Sequence, residues 1–376
     1  MKPNRKSSRP CVGPYHPTSP PFYAEENQQN PMEFRNILIR AANWVGDAVM
    51  CIPALAALRA RYPSARISIL ARPWVAALYA SEPFCDELLP YDAAKNWDGF
   101  RQKCKIAAEL RRRGFDCAIL MPNSFESALF VWAARIPVRI GYDRDAREWL
   151  LTHPIAVPAR GDLPPHQRFY YLELLSRAGL ITSYGEEEPI RLAKAQVARE
   201  LGRGRFERAS IHGPVVGVSP GAAYGGAKRW LPERFAEAAA AIARERGASI
   251  AIFGAKQERE ICESVRVAAA TRGAAAHNFA GSTTLSEFIE LAAACEVYLT
   301  NDSGPMHIAS ALGVPTVAVF GATDDEATGP TGEHTRVVRE AVECSPCLLR
   351  ECPIDHRCMK AVPADRVIQA AFRLLR

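Results

Sequence analysis

Short runs of β-branched and aliphatic residues alternate with helical patterns from about residue 35 onward, and this alternation starts again near residue 214. Strands that alternate with helices of roughly 10–15 residues predict βαβ units, in which a parallel sheet carries helices on both faces. The predicted strands span residues 36–40, 65–71, 116–121, 214–218, 248–254, 296–300 and 314–320, and the predicted helices span residues 48–61, 99–114, 232–246, 256–270, 304–312 and 364–376.

We therefore expect an α/β fold of two doubly wound, Rossmann-like domains that face each other across a cleft. The first domain is expected at residues 34–190 and the second at residues 210–360, with the junction in the charged, less periodic stretch 180–212. Residues 361–376 are expected to end the chain as an amphipathic helix that packs on either domain. Because ligands of such sheets bind at the carboxyl ends of the strands, we expect the site in the cleft.

The composition excludes several classes of protein. Hydrophobic residues make up 48% of the 376 residues and charged residues 23%, which excludes a largely disordered chain, a coiled coil and a small disulfide scaffold. No run of 18 apolar residues predicts a transmembrane helix. The net charge of +6 suits anionic partners, such as phosphorylated ligands or an acidic membrane surface, but it is too diffuse to indicate nucleic acid.

Residues 1–33 differ in composition from the rest of the chain, because they contain seven prolines and few aliphatic residues. We expect this segment to be a disordered extension. The alternative is that translation begins at Met32, just before the first predicted strand. The segment lacks the apolar core of a secretory signal, so we expect a cytoplasmic protein.

Four of the eleven cysteines cluster near the end of the chain, at Cys344, Cys347, Cys352 and Cys358. This spacing leaves three interpretations open: a metal site, in which His356 can replace one thiolate, a pair of disulfides, or four reduced thiols in a compact loop. In a cytoplasmic protein, a metal is favoured over disulfides.

The loop after the first predicted strand, residues 41–47, contains Gly46 and Asp47. Gly46 permits close approach of another group to the backbone. Asp47 has two interpretations: it caps the following helix, or it acts as a general base at the cleft end of the strand.

The loop after the first strand of the second domain, residues 219–230, is rich in glycine and ends in basic residues. The backbone N–H groups of Gly221, Gly225 and Gly226 are free to meet an anion, and Lys228 adds positive charge. This pattern predicts a phosphate loop of a non-Walker type. The alternative is a glycine-rich turn beside a solvated basic pair.

Residues 300–307 join a predicted strand to a predicted helix. Asp302 or Ser303 can cap this helix, whose N-terminus offers N–H groups and partial positive charge to a diphosphate. His307 lies in the first turn and faces the same place. The alternative is a plain cap with a buried histidine. Two phosphate-binding elements in the second domain and one carboxylate in the first indicate group transfer from a nucleotide diphosphate.

Two further patterns carry less weight. Asp143-Arg-Asp145 has the D-x-D form that some glycosyltransferases use to hold a metal and a nucleotide diphosphate, but it follows no clear predicted strand. No G-x-G-x-x-G follows a strand, which argues against a dinucleotide oxidoreductase, and there is no Walker A motif.

Four short motifs stand in order along the chain. They are Trp44-Val-Gly-Asp47, Pro122-Asn-Ser-Phe125, Pro220-Gly-Ala222 with Ala227-Lys-Arg-Trp230, and Asn301-Asp-Ser-Gly304 with Met306-His307. Together they resemble glycosyltransferase family 9, and within it the type II ADP-heptose:lipopolysaccharide heptosyltransferases, because type I members usually carry Ser-Met-Gly-Asp and Asp-Thr-Gly instead. The resemblance runs from about residue 36 to residue 323 and weakly to the end. The cysteine cluster is similar to one in many type II relatives, whereas the 33-residue extension departs from the family.

The resemblance implies the GT-B fold and an inverting transferase that needs no metal for its chemistry. The implied donor is ADP-heptose, bound by the second domain. The implied acceptor is the first inner-core heptose on Kdo–lipid A, held by the first domain. Because this acceptor is a lipid of the cytoplasmic leaflet, peripheral contact with the inner membrane is expected, and Arg111-Arg-Arg113 either touches anionic lipid or is a solvated helix end. No nucleic acid is an expected partner.

The resemblance also implies residue roles, with Asp47 as the catalytic base and Lys228 holding the diphosphate. The implied donor-binding set is Gly46, Gly221, Ala222, Ala223, Lys228, Glu258, Thr283, Asp302, Ser303, Gly304 and His307, in which Glu258 contacts the ribose and Thr283 lies near the adenine. Three alternatives stay open: a sugar-nucleotide epimerase of the same fold, a family 9 transferase with a different acceptor, and a metal- or redox-sensing protein built on the four clustered cysteines.

Overall fold

The computed structural model of the chain describes residues 32–92, 97–185 and 188–376. The predicted disordered extension lies outside these residues, apart from its last two positions. Met32 is tied to the first domain, because its carbonyl accepts a hydrogen bond of 2.9 Å from the Tyr62 hydroxyl. Met32, which the prediction assigned to the extension, therefore contacts the first domain.

The first half forms a six-stranded, fully parallel sheet with the strand order β3-β2-β1-β4-β5-β6. Its strands are β1 Asn36–Arg40, β2 Arg66–Ala71, β3 Glu87–Pro90, β4 Cys117–Leu120, β5 Val138–Tyr142 and β6 His153–Ile155. Every residue of β4 is buried, as expected for a central strand covered on both faces.

The helices of the first half cover this sheet and lead to the second. They are α1 Val45–Met50, α2 Ile52–Arg61, α3 Pro73–Tyr79, α4 Trp97–Arg112, α5 Phe125–Ala133, α6 Arg168–Arg177 and α7 Ala195–Arg208. The single helix predicted over residues 48–61 is wrong, because the helix is interrupted at Cys51 and restarts with Pro53 in the first turn of α2. Proline has no N–H to donate and is tolerated at a helix start.

The second half forms another six-stranded parallel sheet, with the strand order β12-β11-β10-β7-β8-β9. Its strands are β7 Val215–Ser219, β8 Ser249–Ile252, β9 Ala276–Asn278, β10 Val297–Asn301, β11 Thr316–Val319 and β12 Thr335–Val338. Its helices are α8 Pro232–Arg246, α9 Arg259–Ala270, α10 Leu285–Ala293, α11 Gly304–Ala311, α12 Asp325–Thr328, α13 Arg357–Ala361 and α14 Ala364–Leu374. Helix α14 packs on α8, β11 and β12 and so belongs to the second half.

The stretch that appears charged and aperiodic in sequence contains α7, which packs on α10. The two helices approach closely because α7 carries Gly202, where a Cβ would lie 1.9 Å from the carbonyl oxygen of Glu290. Contacts also join α1 to α11 and α3 to α10, and one apolar core continues from the first half into the second. The carboxyl ends of the two sheets therefore meet along a shared cleft.

Within the described part of the chain, no helix combines the length and the apolar character needed to cross a membrane.

Candidate active site

Asp47 lies in the first turn of α1, directly beyond the carboxyl end of β1. Burial raises the pKa of its carboxyl group, while a hydrogen bond from the Tyr171 hydroxyl of α6 and the positive charge of Lys228 lower it. The N-cap of α1 is Trp44, and no side chain caps this helix. The capping interpretation of Asp47 is therefore wrong, and the carboxylate is free to face the cleft.

Lys228 reaches the loop after β10 from the glycine-rich loop after β7. Its Nζ donates to Oδ2 of Asp302 at 2.5 Å, and the same oxygen accepts a hydrogen bond of 2.6 Å from Thr323 Oγ1. The ammonium group also lies 4.6 Å from the centre of the Tyr224 ring. An ammonium group has three donors, so Asp302 can fix its position and leave donors for an anion in the cleft.

The side chain of Asn301 joins the two loops of the second domain. It is fully buried at the end of β10, its Oδ1 accepts from the backbone N–H of Trp230 at 2.9 Å, and its Nδ2 donates to the carbonyl of Pro220 at 2.8 Å. Because it holds both ends of the glycine-rich loop, Asn301 sets the position of that loop relative to Asp302. Asn301 belongs to one of the four family motifs, but no role for it was predicted from the sequence.

The N-terminus of α11 carries no side-chain cap, contrary to the capping interpretation of Asp302 and Ser303. Asp302 is engaged with Lys228 and Thr323, and the Ser303 hydroxyl lies 3.2 Å from Oγ1 of Thr300. Gly304 begins the helix, where a Cβ would lie 3.0 Å from Cβ of Val45 in the first domain. A charged ligand beside this end of α11 would therefore meet helix N–H groups that no side chain satisfies.

His307 is buried at the contact between the two domains. Burial, with the nearby charges of His166 and Lys228, lowers its pKa to about 4, although Asp302 opposes this shift. The imidazole is therefore neutral near pH 7. A Cβ on Gly46 would lie 3.0 Å from Cδ2 of His307, so a glycine is needed for this approach.

Glu258 lies beside the glycine-rich loop, as the resemblance implies for a residue near the donor. Its Oε2 accepts from the backbone N–H of Ala255 at 2.9 Å, and a Cβ on Gly221 would lie 2.1 Å from its Oε1. The loop that contains Thr283 is tied to the same place by a 2.9 Å hydrogen bond from Gly281 N–H to the carbonyl of Gly254. Thr283 is partly exposed, Ala222 is buried, and Ala223 is exposed.

Residues 344–358, which we call the cysteine strap, pack against the glycine-rich loop. The carbonyl of Arg350 accepts from Ala227 N–H at 2.9 Å, and a Glu351 carboxylate oxygen accepts from Gly226 N–H at 2.9 Å. The Tyr224 hydroxyl donates to the carbonyl of Leu348 at 2.8 Å. Part of the backbone of the glycine-rich loop is therefore held by the strap rather than by the loop itself.

The four thiols of the strap are close to one another but are not arranged as a ligand set. Burial raises the pKa of Cys358, and the other three cysteines of the strap raise it further. Among the described residues, no three histidine, cysteine or acidic side chains converge on a point that could hold a metal, and every cysteine is a free thiol. His356 is directed at the second domain, with Nε2 3.1 Å from the carbonyl of Ala227. The disulfide interpretation finds no support in this geometry.

Two other sequence patterns add no reactive group to this cluster. Asp143 and Asp145 are exposed and directly follow β5, a strand that the sequence analysis did not recognise. Gly217-Val-Ser-Pro-Gly221 also has the G-x-S-x-G form of a hydrolase nucleophile loop. Ser219 is buried at the end of β7, however, and its hydroxyl lies 2.7 Å from that of Tyr298, so it is not presented as a nucleophile.

Tyr171, Thr323 and His166 are site residues that sequence reasoning missed. Each is a single polar residue that belongs to no recognisable motif; Tyr171 and His166 lie outside the strand-end loops, and Thr323 lies in the loop after β11. Tyr171 stands in an ordinary amphipathic stretch, and only the packing of α6 against α2 brings its hydroxyl to Asp47.

Comparison with known proteins agrees with this arrangement. The sequence model of the family described as glycosyltransferase family 9 (heptosyltransferase) matches residues 103–357. The chain is 32% identical to lipopolysaccharide heptosyltransferase 2 of Escherichia coli, over 81% of this chain and 87% of that protein. It is 30% identical to lipooligosaccharide heptosyltransferase 2 of Haemophilus ducreyi, over 90% and 99% of the two chains.

Among solved structures, E. coli ADP-heptose LPS heptosyltransferase II superposes on this chain with a TM-score of 0.76 at 28% identity, and the match covers 90% of this chain and 98% of that one. The prediction of an α/β fold of the GT-B type, with two facing Rossmann-like domains, is confirmed. The predicted resemblance is confirmed as well, since the family match extends over most of the chain. The chain belongs to glycosyltransferase family 9.

Proposed function

We propose that this chain is an inverting heptosyltransferase that moves L-glycero-D-manno-heptose from ADP-heptose to the first inner-core heptose of Kdo–lipid A. The family match and the similarity to proteins named lipopolysaccharide heptosyltransferase 2 support heptose transfer in the assembly of the lipopolysaccharide core. They do not favour an epimerase, a different acceptor or a sensor built on the cysteines.

The observation that carries this proposal is the meeting of three loops in the cleft. Asp47 of the first domain lies within electrostatic reach of Lys228 of the second. Its neighbour Gly46 contacts His307, and Lys228 is fixed by Asp302. A carboxylate base on one wall of the cleft therefore faces a cation and a helix N-terminus on the other, which is the pairing that transfer from a nucleoside diphosphate requires.

In the proposed reaction, Asp47 accepts the proton of the acceptor hydroxyl. The hydroxyl oxygen forms a bond to the anomeric carbon on the face opposite ADP. The bond between that carbon and the β-phosphate oxygen breaks, and its electron pair leaves with ADP. The transition state is oxocarbenium-like, as in glycoside chemistry generally.

The second domain stabilises the leaving group in this scheme. Lys228 and the N–H groups of the first turn of α11, at Ser303 and Gly304, face the diphosphate as its charge develops. His307 is neutral because it is buried, so it can donate one hydrogen bond without adding charge. Glu258 would bind the ribose hydroxyls and Thr283 would lie near the adenine, with Gly46, Gly221, Ala222 and Ala223 lining the donor site.

The proposed chemistry uses no metal, because Lys228 and the helix N-terminus take the place of a divalent cation. A metal held by Cys344, Cys347, Cys352 and Cys358 would be structural and would act through the glycine-rich loop that the strap holds. The enzyme would work in the cytoplasm, in peripheral contact with the inner membrane that carries its acceptor.

The test is ADP release by the purified protein with ADP-heptose, with and without an acceptor that bears one inner-core heptose, and with a chelator in a parallel reaction. ADP release that depends on the acceptor and survives chelation is expected. Release that is equal without the acceptor would contradict transfer. Loss of activity with the chelator would contradict the metal-free chemistry if it persists in a variant that lacks the four clustered cysteines.

A further inference from the structure

Four large apolar side chains form one exposed cluster on the first domain, which we call the aromatic patch. They are Phe125, Leu129, Trp132 and Trp149, with exposed fractions of 39%, 40%, 47% and 65%. The ring of Trp149 lies 6.0 Å from that of Phe125 and 6.4 Å from that of Trp132. Single exposed apolar residues are ordinary, but a contiguous group of them marks an interaction surface.

The aromatic patch is not part of the hydrophobic core of the first domain. Phe125, Leu129 and Trp132 stand at spacings of four and three residues and so lie on one face of α5. The opposite face of α5 is already buried, with Phe130 and Val131 inside the first domain. The outer face therefore has no packing role in the described fold.

A rigid frame connects the patch to the cleft. Trp149 stands in a short 3-10 turn, Glu148–Leu150, directly after the fully buried Arg147. The Arg147 guanidinium donates to the carbonyl of Pro122 at 2.5 Å and to Ser127 Oγ at 3.0 Å. Because Pro122 follows β4 at the cleft, the patch extends outward from the acceptor side of the proposed site.

Beside the patch lies a strongly basic helix. Helix α4 packs on α5, and Lys103 of α4 pairs with Glu126 of α5 at 2.7 Å. Residues 101–113 contain six basic residues and one acidic residue, and three of the six, Lys103, Arg112 and Arg113, are paired with glutamates. Arg101 and Lys105 are exposed on α4. An apolar face and a cationic face therefore stand side by side on one surface of the first domain.

We infer that this surface docks the enzyme on an anionic lipid bilayer, with the aromatic patch entering the interface and α4 facing the headgroups. Tryptophan rings partition to the boundary between headgroups and acyl chains, and basic residues near such a surface are attracted by anionic lipid. A second copy of this chain is a poorer occupant, since a two-fold contact would bring the two basic helices α4 together. The inference rests on the proposed function in one respect: the proposed acceptor is a lipid, which gives the enzyme a reason to meet a bilayer.

The first experiment measures binding to vesicles. Wild-type protein is sedimented with vesicles of phosphatidylcholine alone and with vesicles that contain phosphatidylglycerol. Two paired variants are compared: Trp132→Ser with Trp149→Ser, and Arg101→Ser with Lys105→Ser. The matched controls lie on α7, where Val197→Ser with Leu201→Ser removes exposed apolar groups and Arg203→Ser with Arg208→Ser removes exposed charges.

We expect wild type and both controls to bind anionic vesicles, with binding weakened by salt. Each pair of substitutions, in the aromatic patch or in α4, should weaken binding about tenfold. Wild-type binding that does not require phosphatidylglycerol, or patch variants that bind as wild type does, would overturn the inference. So would a wild-type dimer, seen by sedimentation equilibrium, that the tryptophan variants dissociate.

The second experiment separates this inference from the proposed function. Turnover is measured on a deacylated, water-soluble acceptor and on the same acceptor with its acyl chains, embedded in anionic vesicles. The tryptophan variants should keep wild-type kcat/KM on the soluble acceptor and lose about tenfold on the embedded one. Equal loss on both acceptors would overturn the docking role. Wild-type protein that fails on both acceptors yet binds anionic vesicles would contradict the proposed function and leave the docking surface supported.

Discussion

At the scale of single residues, the pKa of Asp47 is set by opposing effects. Burial raises it, whereas the Tyr171 hydroxyl and the charge of Lys228 lower it. A general base has to be ionised at the working pH and still attract a proton, and an upward shift of the pKa increases its affinity for that proton. The two residues that restrain the shift come from α6 and from the second domain, which makes the base dependent on the assembled cleft.

Asp47→Asn is expected to lower kcat by about 10²–10⁴-fold, because the amide keeps the shape of the side chain but accepts no proton. Donor affinity should change little, since the donor is bound by the second domain. The measurements are kcat by ADP release and the Kd of ADP-heptose by calorimetry. Near-normal turnover in this variant would rule out Asp47 as the base.

The activity of wild type should fall as the pH is lowered, because the base becomes protonated. Since the pKa of Asp47 is raised, this fall should occur at a higher pH than it would for an ordinary aspartate. Tyr171→Phe removes a hydrogen bond that favours the charged form, so the acid limb of kcat should move to still higher pH. The pH profile of kcat checks both. A Tyr171→Phe profile with lower kcat but an unmoved acid limb would show that Tyr171 acts on something other than the base.

The sequence predicts the residues at strand ends but not their partners. Asp47, Lys228 and Asp302 are recognisable because each occupies a loop that follows a buried strand, where ligands of parallel sheets bind. The restraint of Asp47 by Tyr171 depends on how α6 packs, and that packing joins residues more than a hundred positions apart. The hydrogen bond between Thr323 and Asp302 also depends on tertiary structure, because the ends of β10 and β11 bring the two residues together.

At the scale of elements, the cysteine strap supports the glycine-rich loop. Gly225 has extended backbone, and a Cβ at this position would lie 2.2 Å from the carbonyl oxygen of Arg350. Because the obstacle is backbone rather than the end of a flexible side chain, the strap or the loop has to move when a side chain is added. The loop and strap therefore form one unit, although about 120 residues separate them.

Gly225→Ala is expected to weaken ADP-heptose binding about tenfold, because displacement of the strap costs hydrogen bonds at Gly226 and Ala227 worth about 1 kcal/mol each. The matched control is Gly204→Ala on α7, where the added Cβ meets the Arg208 guanidinium only at 3.5 Å. Calorimetry with ADP-heptose measures both. Equal affinities in the two variants would mean that the strap does not support the donor site.

The central strands of both sheets were predictable from the sequence, and the strands nearer the edges were not. Buried strands such as β1 and β10 are continuous apolar runs bounded by loops. Strands β6 and β9 have three residues each, and they are strands only because β5 and β8 supply hydrogen-bonding partners. Helix α7 looks like a charged linker, since its packing on α10 depends on close approach at Gly202 rather than on an apolar stripe.

At the scale of the whole molecule, the site exists only where the two domains touch. His166 and Gln167, which precede α6, bond to the C-terminal end of α12. Nε2 of His166 lies 3.0 Å from the carbonyl of Gly329, and the Gln167 N–H donates to the carbonyl of Ala327 at 2.9 Å. Both contacts lie near His307, whose pKa the His166 ring helps to lower. Changes that loosen the domain contact are therefore also changes to the active site.

Glu82 connects the first domain to the segment that leads into the second domain. Its Oε1 accepts from the backbone N–H of Ala193 at 2.8 Å, just before α7, and burial raises the pKa of this carboxyl group to about 7. In the unfolded chain this carboxyl group has a pKa of about 4.3, so the folded protein binds the proton more tightly than the unfolded chain does. The protonated carboxyl group therefore stabilises the folded state at low pH. That contribution is complete below about pH 4 and is lost as the pH rises through 7.

Glu82→Gln should therefore be more stable than wild type at pH 8.5, because glutamine does not ionise and its amide oxygen can accept the same Ala193 N–H. The difference in the free energy of unfolding between variant and wild type should grow by about 1–3 kcal/mol between pH 5.5 and pH 8.5. Urea unfolding at the two pH values measures it, with Glu237→Gln on the exposed face of α8 as the matched control. A difference that is the same at both pH values would mean that Glu82 is already ionised in the folded protein at pH 5.5, and that the contact between the first domain and α7 is insensitive to pH.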